Sequence, residues 1–206
     1  MSKMVENLIA RVNYEEAKVL ADLGSITQDL GFTMRTCSRL KNLLQEKSED
    51  DLLIENLWTA ALIRYARCFA SGKRFGLAES IFDGLKGEPH KVHKMYIDLR
   101  NKHTAHSVNP FEQMEVGLIL TPLTDNERKI VGVEILSMHY MCPNIEGVHQ
   151  LGLLAKVLLK KVCELAKQYE KRVLEKGQSI PIDELYKCAR PILIVPGPES
   201  ADKPRL

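Results

Sequence analysis

The stretch from Leu99 to Pro110 reads LRNKHTAHSVNP and follows EPHKVHKMYID; together they hold four of the six histidines, His90, His93, His103 and His106. Imidazole and guanidinium side by side suit phosphate-ester chemistry. An imidazole, with an ordinary pKa of about 6.5, gives or takes a proton near neutral pH. A guanidinium presents a charged fork that fits phosphate oxygens. Cleavage of RNA asks for a base at the 2′-hydroxyl, an acid at the leaving 5′-oxygen and a cation for the charge that gathers on the phosphorane. His106 as general acid/base and Arg100 as phosphate and transition-state ligand answer that need, with Asn101 to orient His106 or the substrate. A two-fold dimer would supply each group twice, so one histidine could act as base and its symmetry mate as acid. Lys102 and His103 are second choices, with packing or phosphate contact as their roles.

At about 100° per residue, Val92, Tyr96, Leu99, His103 and His106 fall within about 80° of one another, so an apolar stripe ends in imidazoles. Arg100 lies about 60° from His103 and about 120° from His106, and a distortion before Ser107 or a second subunit is needed to bring Arg100 and His106 onto one surface. The plain alternative is that both histidines merely satisfy the unpaired carbonyls and macrodipole of a helix C-terminus. A metal reading also arises, because His90/His93 and His103/His106 are both i, i+3 pairs. The pairs are 13 residues apart, about 220° around the helix, and neither carries the glutamate of HExxH, so no metal is expected.

Arg100-Asn101, four further residues and His106 resemble the Rx4-6H motif of the HEPN superfamily of small all-helical proteins, with a polar residue after the arginine. The resemblance covers about residues 1 to 110. It implies a metal-independent, cofactor-free endoribonuclease, often a toxin or antiphage effector held by an antitoxin or regulatory protein, with a composite site formed between two subunits. Some members of that superfamily are instead catalytically silent dimers that bind proteins or nucleotides. Members silenced by nucleotidylation carry a tyrosine two residues after the motif histidine, where this chain has Val108. That departure argues against a nucleotidyltransferase antitoxin.

The elements that must position these residues follow from periodicity. Apolar steps of three and four predict helices over 3 to 22 and 25 to 46, with Gly31-Phe32 as a point of interruption. LWTAALIRYARCFA, in a helix from about 49 to 71, is apolar on nearly every side except at Arg64 and Arg67, which marks it as central. Arg64, Arg67, Lys73 and Arg74 are candidates to track an RNA backbone, though a solvated helix face explains them as well. SGKRFGLAESIFDGLKGEP reads as a loop around a short helix, and Pro89 starts a helix to His106 that Asn109-Pro110 ends. MEVGLILT (114 to 121) and IVGVEILS (130 to 137) predict a β-hairpin, 144 to 175 a long helix with a seam at Leu151, Ala155, Leu158, Val162, Leu165 and Tyr169, and 192 to 195 a short strand. The expected fold is mainly α: a HEPN-like antiparallel helical bundle over 1–110, a hairpin insertion and long C-terminal helix over 111–195 packed on it as one globular unit, and a disordered tail over 196–206.

With 206 residues the chain can bury a sizeable core without staples. The five cysteines are odd in number and never form CxxC, which argues against a disulfide framework or zinc ribbon and for reduced, mostly buried thiols in a cytoplasmic protein. No run reaches the roughly 18 apolar residues of a membrane span, and the N-terminus lacks an apolar signal core. A net charge of +2 does not by itself announce nucleic acid, but Lys86 to His106 carries five cations against two anions.

Overall fold

The computed structural model describes residues 8–70, 72, 74–104, 112–124, 127–139, 142–190 and 197–200. Its contacts divide the chain into two compact units, Asp22–Leu165 and the terminal stretches 1–21 with 166–206. The fold is mainly helical.

Four helices build the larger unit: α1 (Glu15–Gln45), α2 (Asp51–Arg67), α3 (Pro89–Leu99) and α4 (Ile145–Gln178), of which α1 and α4 extend beyond it. All the buried apolar residues among those described belong to this unit. Leu23, Ile26, Leu30 and Leu40 of α1, Trp58, Leu62 and Tyr65 of α2, and Leu151, Ala155, Leu158 and Val162 of α4 are closed to solvent. Gly152 of α4 lets the helix backbone come near α1: a Cβ there would lie 3.0 Å from Cys37 Cβ.

The helix ends have local causes. Asp50 caps α2, its carboxylate accepting from Leu53 N at 3.0 Å, and Arg64 and Arg67 complement the macrodipole in the last turn. α1 closes with Ser48 N donating to Leu43 O at 3.0 Å and Lys47 N to Leu44 O at 3.3 Å. Lys47 takes a φ of 53°, a left-handed position that usually goes to glycine in this type of helix end. α3 begins on Pro89, whose missing N–H would be an orphan anyway.

The expected break between two N-terminal helices is absent. Gly24 sits inside α1, where its cost of about 1 kcal/mol against alanine is outweighed by Leu23 and Ile26, both wholly buried beside it. Gly31-Phe32 does not interrupt the helix either. The predicted start at residue 3 is also corrected: Ile9–Ala10 form a short strand, β1, and Leu8 and Ile9 are exposed rather than part of a buried stripe. The short helix of the 72–88 loop is a 3-10 turn over Glu79–Phe82.

After α3 the chain forms a ribbon from β2 (Glu112–Leu120) and β3 (Ile130–His139), antiparallel from Glu112↔His139 to Leu120↔Ile130 with an irregularity at Ile119/Leu120. Thr121 closes its base, N to Lys129 O at 3.0 Å and hydroxyl to Glu127 O at 2.9 Å. The pairing puts Met114, Val116, Leu118, Val133 and Ile135 on one face, with Glu115 and Glu134 on the other.

In the terminal unit, β1 pairs antiparallel with β4 (Ala189–Arg190), which follows α5 (Ile182–Cys188), a helix the periodicity did not predict. The Tyr14 hydroxyl donates to Val173 O at 2.6 Å, and Lys176 Nζ lies 2.9 Å from Glu16 and 4.8 Å above the Tyr14 ring. The strand expected at 192 to 195 lies outside the described residues, as do 201–206 of the tail, while Pro198–Ser200 form a 3-10 turn. No helix among the described residues is long and apolar enough to cross a membrane.

Candidate functional site

The histidine-rich helix is half as simple as its periodicity implies. α3 is regular through Leu99, and Arg100–Thr104 then winds as a π-helix. Such turns bond i to i+5 and recur where helices carry function. Arg100, half-buried at this junction, donates from Nη1 to Asn101 Oδ1 at 3.0 Å, and Asn101 and Lys102 are exposed. The backbone of His103 belongs to the π turn, but its side chain lies outside the described residues, as does all of His106. The structure therefore joins Arg100 to Asn101 and leaves the histidine half of the motif undescribed.

The buried imidazole is His93, at the other end of the helix. The fully buried side of α3 is His93 and Tyr96, with Val92 and Leu99 at its margins, so the core-facing stripe is turned by one residue from the expected one. His93 Nδ1 lies 2.9 Å from the Tyr65 hydroxyl of α2. Its ring packs 4.3 Å from Phe69 and 4.8 Å from Phe82, centroid to centroid. Burial holds its pKa below the ordinary histidine value, against the opposing charge of Glu79, and pushes the Tyr65 hydroxyl up. Both are thus neutral near pH 7, an uncharged polar pair in an aromatic cluster. Tyr96, edge-on to Trp58 at 6.0 Å, sends its hydroxyl to Gly147 O at 2.7 Å and so ties α3 to α4.

The HxxH pair at 90/93 is not assembled as a ligand set. His90 faces Glu79 and Asp83, each at 3.7 Å, while His93 is turned toward Tyr65. Among the described residues no three His, Cys, Asp or Glu side chains cluster as metal ligands would. The cysteines are all free; only Cys37 and Cys68 are buried, fewer than expected, and burial pushes both thiols up to about 12.

Arg64 and Arg67 are held by a residue that the sequence reading passed over. Asp29 of α1, nearly closed to solvent, receives Arg64 Nη1 at 2.8 Å and Arg74 Nη1 at 3.0 Å, with Arg67 Nε at 3.6 Å. Arg64 also lies 4.9 Å over the Phe32 ring. Asp22, one heptad earlier on the same face, accepts from Phe75 N at 2.9 Å. The signal was present: two acids seven residues apart, at positions of α1 where the apolar stripe calls for leucine. Lys73 lies outside the described residues.

Comparison with known proteins finds no family model, no curated protein and no solved structure that matches this chain.

Proposed function

We propose that the protein is a metal-independent endoribonuclease of HEPN type that acts on single-stranded RNA as a homodimer. The observation that carries this reading is Arg100, an arginine at a π turn, steadied by the neutral oxygen of Asn101 and without a carboxylate partner among the described residues. Its full charge remains for a phosphate. In this reading His106 of one subunit takes the 2′-hydroxyl proton as the 2′-oxygen attacks phosphorus. The bond to the 5′-oxygen breaks, that oxygen receives a proton from the symmetry-related imidazole, and a 2′,3′-cyclic phosphate remains. Arg100 offsets the charge on the phosphorane. Restraint by an antitoxin or other regulatory protein belongs to the same proposal.

In this proposal the segments around Arg100 to His106 of two copies meet at the dimer interface, which is extended by the apolar face of the β2–β3 ribbon. That face carries no charge between Met114 and Leu120, which suits a second copy of itself better than nucleic acid. The same face favours a second reading, a catalytically silent dimer that binds a protein partner.

A fluorogenic single-stranded RNA assayed in EDTA separates the two. Cleavage that persists in chelator, and that falls by about 10²- to 10⁴-fold in His106→Ala while the dimer and RNA affinity stay intact, is the expected result. Arg100→Ala should weaken both affinity and turnover. A folded His106→Ala protein that cuts at the parental rate, or no cleavage by any preparation, refutes the ribonuclease reading and leaves the binding module.

A further inference from the structure

We infer that Arg64, Arg67 and Arg74, gathered on Asp29, form a phosphate-binding site. Neutralising one buried carboxylate needs one guanidinium. Here three converge on it, within 2.8 to 3.6 Å, and Asp29 is the only carboxylate with which these arginines pair among the described residues. The four groups thus sum to two positive charges, and the buried Asp22 carboxylate, which accepts from Phe75 N beside Arg74, still leaves a positive excess. Cys68 beside the cluster does not supply the balance, because its buried thiol stays protonated, with Sγ donating to Arg64 O at 3.4 Å.

The donor inventory points the same way. Three guanidinium groups carry about fifteen N–H donors against about four lone-pair sites on a carboxylate. Arg74 already spends Nη1 on Asp29, and its Nε and Nη2 are enclosed without an acceptor. Arg64 and Arg67 keep 40% and 48% of their side chains open to solvent, so their unused donors are the ones a ligand can reach. Arg64 is further steadied against Phe32. An anion seated on these forks would use the surplus donors and relieve the repulsion between the three cations.

The site is also held in shape before any ligand arrives. Arg64 and Arg67 lie in the last turn of α2, and Arg74 is delivered by a loop closed through Leu77 N to Cys68 O at 2.8 Å and Phe75 N to Asp22 at 2.9 Å. Gly76 is required in that loop, since a Cβ there would lie 2.7 Å from Ala70 O. Helix, buried acid and closed loop fix three forks at once, the arrangement that a tetrahedral oxyanion with several equivalent acceptors rewards. The phosphate can be a diester within an RNA strand or a monoester at its end. Assignment of an RNA source rests on the ribonuclease reading; binding of phosphate itself does not.

Calorimetric titration uses three probes on the full chain: inorganic phosphate, and an uncleavable 2′-O-methyl tetranucleotide with either a 5′-phosphate or a 5′-hydroxyl. Saturable binding of inorganic phosphate is expected, with a loss of at least about tenfold in Arg64→Gln and Arg67→Gln. Lys91→Gln, an equal loss of charge at an exposed site on α3, should bind as the parent does. A preference for the 5′-phosphate assigns the strand end, and equal affinity for both oligonucleotides assigns the backbone. Circular dichroism checks folding. Should a glutamine variant unfold, Arg67→Lys, which keeps the charge and loses the fork, must still weaken binding. Absence of saturable binding by the parent, or equal binding by the folded arginine variants and Lys91→Gln, overturns the site. Phosphate binding without RNA cleavage overturns the ribonuclease reading alone.

Discussion

The helical core and the β2–β3 ribbon are built from the same aliphatic residues with opposite outcomes. Leu23, Ile26, Leu30, Leu62 and Leu158 are closed to solvent, whereas Met114, Val116, Leu118, Leu120, Val133 and Ile135 on one face of the ribbon are 59% to 76% exposed. Hydrophobicity alone does not decide burial. In α1, α2 and α4 the apolar positions repeat with the helical period and each stripe meets another. In the ribbon they repeat every second residue and form one flat face without a described layer over it. A two-stranded ribbon is marginal in water by itself, and a contiguous exposed apolar face marks a surface built to meet a partner.

The contrast breaks most sharply at Trp58, wholly buried and edge-on to Tyr96. Trp58→Ala should cost about 3 to 5 kcal/mol in urea unfolding, the range for deleting a buried aromatic side chain. On the ribbon, Val116→Asp should leave the helical core folded and shift the proposed dimer toward monomer in sedimentation velocity. A dimer unmoved by Val116→Asp would remove the ribbon from the proposed assembly.

A smaller effect tests the polar member of the core. The unfolded chain protonates His93 near pH 6.5, while the buried imidazole resists its proton until lower pH. Its contribution to stability is therefore complete above about pH 6.5 and declines as pH falls, by up to about 1.4 kcal/mol per pH unit down to the folded-state pKa. The melting temperature should fall between pH 7 and pH 5, and His93→Asn should flatten that fall. Equal slopes in the two proteins would show that His93 does not carry it. Smallest is Lys47→Gly at the end of α1, which relieves a left-handed φ and should stabilise by about 1 kcal/mol in the same unfolding assay.

What the sequence disclosed follows from which forces act locally. α2, the ribbon and the body of α4 were legible because their periods are long and uninterrupted, and the start at Pro89 because proline's fit to a first helical turn is local chemistry. The continuity of α1 through Gly24 was not legible, since it depends on burial against distant partners. Neither was the π turn at Arg100, a departure from the one period that a helical wheel assumes. For the site, Arg100 and Asn101 were recognised by type and spacing. Asp29, which arranges three arginines, was missed because a carboxylate within an apolar stripe signals a partner without naming it.

The closeness of Gly152 to Cys37 has a consequence for the order in which the molecule is made. The two residues meet across 115 intervening steps of chain. At a synthesis rate of about 5 to 20 residues per second, α1 leaves the ribosome roughly 6 to 23 s before the surface of α4 that covers it exists. During that interval α1 and α2 can associate, but the side of α1 destined for α4 stays wet. The nascent chain is therefore most vulnerable to aggregation before release of α4, and a chaperone that engages it then shields the waiting side of α1.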